Sequence, residues 1–168
     1  QPMLMLCLAL WSGHELAGDL GLFSLLHGDP IGLSIQPVSL ILAILGVAVG
    51  SAVLIVFADP WFARMGRGDW EKLKPERGRE DRDLLRGLLY GGITEEIILR
   101  WGLMSAVGAL AVMLGFGNAA ALAIAIFLCA FVFAAGHLPA VKMETPLTPM
   151  ITLRTLILNF IPGIGFGV

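Results

Sequence analysis

Three charged side chains sit together in an apolar part of this chain. The stretch Gly91 to Gly102 reads GGITEEIILRWG and carries Glu95, Glu96 and Arg100. Farther on, FAAGH runs from Phe133 to His137. Glutamate and histidine are the side chains that take up and return protons during hydrolysis. On a helix, Glu96 and Arg100 share a face with the acid on the N-terminal side, the favourable order for an ion pair. Glu95 points about 100° away from that face. A paired Glu96 and Arg100 can be structural, whereas Glu95, less well neutralised, is left as the group suited to act as a general base.

These residues need elements to hold them, and composition says which kind. Of the 168 residues 57% are hydrophobic and 14% charged, and the mean hydropathy is +0.86, far from the roughly 25% charge of soluble domains. The composition predicts an all-α, polytopic integral membrane helix bundle. The formal charge of −2 gives no support to nucleic acid as a partner. Cys7 and Cys129 lie in apolar runs without CxxC or Cys/His spacing, and read as buried thiols rather than a disulfide framework or zinc ligands.

Residues 1–58 read as N-terminal transmembrane helices. Met3 to Leu26 is a weak first span, interrupted by His14, Glu15 and Asp19 and ended by Gly28-Asp29-Pro30, while Pro37 to Ala58 is a charge-free run long enough to cross a bilayer. Residues 59–86 then hold eight of the eleven basic residues with seven acids interleaved. This charged loop or surface helix belongs on the cytoplasmic side by the positive-inside rule, which makes the chain an integral protein of the cell membrane. Within 87–168, Leu84 to Gly115 is long enough for a tilted span and Asn118 to Gly136 forms another, with the turn between them at Gly115 to Asn118. A polar loop from Pro139 to Pro149 precedes a last helix starting at Ile151.

Two antiparallel helices joined at that turn bring the chemistry-bearing residues to one depth. From a turn centred between Phe116 and Gly117, Glu95, Glu96 and His137 each lie roughly 31 to 32 Å away at about 1.5 Å per residue. Arg100 and Phe133 match one turn deeper.

The pairing of EEIILR at Glu95 to Arg100, an EExxxR pattern, with FAAGH at Phe133 to His137, an FxxxH pattern, resembles the CPBP family. These are the CAAX-processing and bacteriocin-processing intramembrane proteases, also called Abi proteins, and the similarity to type II CAAX prenyl proteases covers roughly Leu84 to the C-terminus. The resemblance implies an intramembrane endopeptidase in which a glutamate and histidines activate water in a cavity open to the cytoplasmic side. Its substrate would be a prenylated or otherwise hydrophobic peptide, cut near its C-terminus, with membrane lipid as the other partner. By carry-over Glu95 is the general base, Glu96 assists or pairs with Arg100, His137 orients the water or binds a metal, and Phe133 packs beneath it.

The family pattern also has a third motif, a histidine followed four residues later by Asn or Asp. No histidine follows His137 here, and Asn159, in the last apolar run, has the wrong spacing. The resemblance therefore predicts that the chain continues past Val168 into His-x-x-x-Asn. Whether a divalent metal such as zinc takes part stays open at this point: Glu95 and His137 are the candidate ligands, but HExxH is absent and no third ligand is identifiable. His14-Glu15 lacks a second His at i,i+4 and reads as interfacial. Gly46/Gly50, Gly87/Gly91 and Gly163/Gly167 are small-xxx-small pairs suited to close helix packing. Two other classes fit intramembrane acids: a non-catalytic scaffold or immunity protein of the same family, and a proton- or cation-coupled transporter fragment. The transporter class predicts related repeats with broken helices in both halves, and deep acids occur in one region alone.

Overall fold

A computed structural model describes residues 2–20, 37–66 and 92–167. Helices make up most of the described residues, with short turns and irregular links between them and no strand among them, and three stretches are long and apolar enough to cross a membrane: Ile41–Met65, Gly92–Met113 and Asn118–Glu144. The all-α membrane fold expected from composition is the fold observed. The chain divides into two compact units, Gln1–Ser34 with Arg77–Cys129, and Ile35–Glu76 with Ala130–Val168.

In the first unit, α1 (Pro2–Leu16) is followed by a 3-10 turn at Gly18–Leu20. With 15 residues, α1 is shorter than the weak span read from Met3 to Leu26; the remainder of that span lies outside the described residues. One face of α1 carries Ala9 and Gly13, Ala17 in the turn just after it continues the four-residue spacing, and all three are buried. That stripe lets another backbone come close, the usual basis of helix association in lipid, where apolar side chains alone give no driving force. The backbone that does so belongs to the helix over Gly92–Met113. A Cβ on Gly102 would lie 2.5 Å from the Cα of Ala9, and the indole of Trp101 fills the space where Gly13 would carry a side chain. Farther along, Leu20 packs with Ala111 and Ala121, and against the bare backbone of Gly108.

The helix over Gly92–Met113 is π-helical over Glu96–Leu103 and becomes an ordinary helix, α3, over Met104–Met113. It ends in the expected turn: Gly115 takes φ +93°, a conformation that glycine adopts without steric cost, and α4 (Asn118–Gly136) begins three residues later. Cys129 is buried on α4, as expected, but Cys7 is exposed, because its face of α1 turns away from the Ala9/Gly13 stripe.

In the second unit, α2 spans Pro37–Met65, so it continues past Ala58, where the sequence changes character. Asp59 can remain helical because Arg154 holds it through two N–H donors, Nε at 2.8 Å and Nη2 at 2.5 Å, and Phe62, one turn on, is fully buried. The rest of the charged segment, 67–86, lies outside the described residues. The region read as a loop from Pro139 to Pro149 contains a short helix, α5 (Leu138–Glu144). The final helix, α6 (Pro149–Gly165), starts two residues earlier than expected, because Pro149 suits the first helical position and the Thr148 hydroxyl accepts from the Ile151 amide at 3.3 Å. Antiparallel packing of α2 and α6 sets Val47 and Ser51 beside Gly165, Asp59 beside Arg154 and Gly66 beside Met150. Of the glycine pairs singled out in the sequence, Gly163 seats Ala130 closely, whereas Gly46 and Gly50 have open space around them; Gly87 and Gly91 lie outside the described residues.

Candidate active site

The two motifs fall in different units, and each is built around a break in its helix. In the first unit, Glu95 and Glu96 stand between a π-helical stretch at 92–94 and the rest of the π segment Glu96–Leu103. Bonds of the i→i+5 kind widen a helix, as in the Met104 amide donating to the Leu99 carbonyl, and such segments recur at functional sites. More residues per turn means less advance per residue, so the 1.5 Å rise used to set Glu95 at its depth overstates the path through Glu96–Leu103.

The Glu96–Arg100 pair predicted from spacing survives this change, with Nε of Arg100 3.5 Å from Oε2 of Glu96. Arg100 is 11% exposed and Glu96 46%, so the guanidinium is the sheltered partner and the carboxylate reaches toward the open side. Glu95 is half-buried. Among the described residues no cation pairs with it. Next to it, Gly92 has open space where a side chain would stand.

In the second unit, Pro139 sets the geometry of His137. Proline has no amide to donate, so α4 cannot run on regularly. The His137 amide tightens onto the Ala134 carbonyl at 3.3 Å. That leaves the Phe133 carbonyl without its usual i+4 donor, and Nδ1 of His137 takes the place at 2.8 Å. A carbonyl can only accept, so the neutral ring carries its proton on Nδ1 and keeps the Nε2 lone pair. The Phe133 ring meets the imidazole edge-on, centroids 4.6 Å apart at 70°, the packing expected from the FxxxH spacing. His137 therefore occupies the N-cap position of α5 without a side-chain cap bond, and its bond to Phe133 fixes its tautomer.

Asn159 is on α6, where its Nδ2 donates to the carbonyl of Thr155 at 2.8 Å. That bond commits one donor within its own helix and leaves the side-chain oxygen as an acceptor. His14 is in the last turn of α1 and exposed, in keeping with an interfacial position. Among the described residues no three His, Cys, Asp or Glu side chains converge as a metal site would require.

Sequence reasoning missed the Asp59–Arg154 pair, since Asp59 was counted with the charged loop. It also missed the Ala9/Gly13/Ala17 seat; four-residue spacing of small residues, alanine included, was the available signal.

Apolar helices with two partly buried acids on one and a tautomer-fixed histidine beyond another define a class, membrane-embedded proteins with acid–base side chains in their helices. The sequence model of the Rce1-like family, type II CAAX prenyl endopeptidases, matches residues 82–168, and the chain belongs to that family. No curated protein and no solved structure matches it.

Proposed function

We propose that this chain is an intramembrane endopeptidase that hydrolyses a peptide bond near the membrane–cytosol interface, with Glu95 as the base that activates water. The observation that carries this reading is the unequal treatment of two adjacent glutamates: Glu96 is paired with Arg100, and Glu95 has no cation among the described residues. A carboxylate in an apolar helix with no cation paired to it among the described residues suits the role of general base.

In the proposed reaction Glu95 takes a proton from water as its oxygen attacks the scissile carbonyl, and returns it to the leaving amine. His137 orients the water through Nε2, the nitrogen left over once Nδ1 is committed to Phe133. Arg100 holds Glu96 and with it the helix geometry. Asn159 is the weaker candidate for stabilising the oxyanion, because its amide already serves Thr155. The substrate is a hydrophobic or prenylated peptide cut close to its C-terminus, presented from lipid, and residues 59–86 face the cytoplasm of a cell membrane.

The experiment is direct. The purified chain in liposomes is given a farnesylated peptide ending in a Cys-aliphatic-aliphatic-X sequence and its unmodified counterpart, and the products are read by mass spectrometry. Release of the three residues after the modified cysteine is expected; an intact farnesylated peptide contradicts the substrate class.

A further inference from the structure

The helix bearing Glu95 and Glu96 changes hydrogen-bond register partway along, and the change can be followed donor by donor. The Met104 amide closes on the Leu99 carbonyl, five residues back. From Met104 onward the helix is α-helical, so the Gly108 amide closes on Met104, four back. Between those two bonds lie four carbonyls, Arg100 to Leu103, and only three amides, Ser105 to Val107. One carbonyl is left without a backbone donor. In water it would be solvated, but in a bilayer an unsatisfied carbonyl is costly.

Two hydroxyls donate to carbonyls among these four. Ser105 Oγ donates to the Trp101 carbonyl at 2.6 Å from within the helix. Ser12 Oγ comes from α1 and reaches the Gly102 carbonyl at 3.2 Å, sharing its proton with the Ala9 carbonyl, also at 3.2 Å. Ser12 arrives there because Ala9 and Gly13 flank it, and those are the residues against which Gly102 and Trp101 pack without room for another carbon.

We propose that Ser12 is a positioning residue: its hydroxyl, seated on the Gly102 carbonyl, stabilises the five-residue register of Glu96–Leu103 and thereby fixes how Glu95 and Glu96 project. An α-helical register across the junction moves the surplus residue toward Gly92 and turns the two glutamates relative to Ser105 and everything beyond it. Ser12 touches neither substrate nor water. Its effect on catalysis rests on the reading of Glu95 as the base; its effect on helix register does not.

The test separates the two. Trp101-Gly102 is the only Trp-Gly pair in the sequence, so protein labelled with carbonyl-13C tryptophan and 15N glycine gives one amide cross-peak at the junction. In Ser12→Ala that cross-peak is expected to move or split, and kcat for peptide cleavage to fall about tenfold or more with KM little changed. Ser12→Thr, which keeps the hydroxyl, is expected to restore both. An unmoved cross-peak in Ser12→Ala overturns the proposal, and so does a displaced cross-peak with unchanged kcat. If the wild-type chain cuts no peptide, the protease reading fails, and the cross-peak alone decides whether Ser12 holds the register.

Discussion

Nδ1 of His137 lies 2.8 Å from the carbonyl of Phe133, the carbonyl that the turn into Pro139 deprives of its amide. A residue read as a proton carrier is thus also the repair of a helix break. Ser12 does the equivalent for the π segment, reaching the Gly102 carbonyl. Lipid offers no hydrogen bonds, so an irregular helix in a membrane needs a side chain at each gap. In both motif-bearing helices the gap and the chemistry coincide.

The two nitrogens of His137 can be separated by substitution. Asparagine places its amide near the position of Nδ1 and lacks anything at Nε2; alanine removes both. His137→Asn is expected to keep a melting temperature near that of the wild type while losing cleavage by about a hundredfold. His137→Ala should lose cleavage and, in addition, about 1 kcal/mol of stability from the orphaned Phe133 carbonyl. Thermal unfolding beside the cleavage rate checks this.

Arg100 is the sheltered member of its pair and Glu96 the more open one, so the two deletions are unequal. Removing the charge of Glu96 leaves the sheltered guanidinium without that counter-charge, whereas Arg100→Met puts an apolar side chain in the sheltered position and leaves a carboxylate that reaches the open side. Glu96→Gln is expected to lower the melting temperature more than Arg100→Met, whose cost should be about 1 kcal/mol or less. Equal effects would show that the pair is not holding the helix.

The Asp59–Arg154 contact joins α2 to α6 through two donors on one oxygen. A double-mutant cycle with Asp59→Asn and Arg154→Met should give a coupling energy of about 1 kcal/mol or more. Additive effects would mean that the pair adds nothing to the packing of these helices.

The seat between α1 and the π segment has no spare volume. Gly102→Val is expected to destabilise the protein by about 1–3 kcal/mol, because Ala9 offers backbone rather than a flexible side-chain end to yield. Gly46→Val, on open helix surface, should be close to neutral by the same unfolding measurement.

The fold class was readable because composition alone separates a bilayer protein from a soluble one, and the turn at Gly115 because two glycines and an asparagine interrupt two long apolar runs. The pairing of Glu96 with Arg100 and of Phe133 with His137 followed from i,i+4 spacing, which α and π helices both bring to one side. What was not legible depends on contacts distant in sequence. Asp59 remains helical because of Arg154, 95 residues away, and no local pattern at a charge boundary carries that. The π register was equally hidden, since it depends on a serine in another helix. Pro139 marked a break, and the short helix α5 beyond it was missed because Pro at a first turn starts a helix as readily as it ends one.

The most direct measurement is the rate of peptide cleavage by Glu95→Gln compared with Glu96→Gln, each with an unfolding curve to establish that the variant is folded. Glutamine has nearly the same shape as glutamate and cannot take the proton. The account predicts that Glu95→Gln is folded and loses cleavage by a factor of about a thousand or more, while Glu96→Gln retains measurable turnover. A folded Glu95→Gln protein that still cuts at close to the wild-type rate would contradict the assignment of Glu95 as the base.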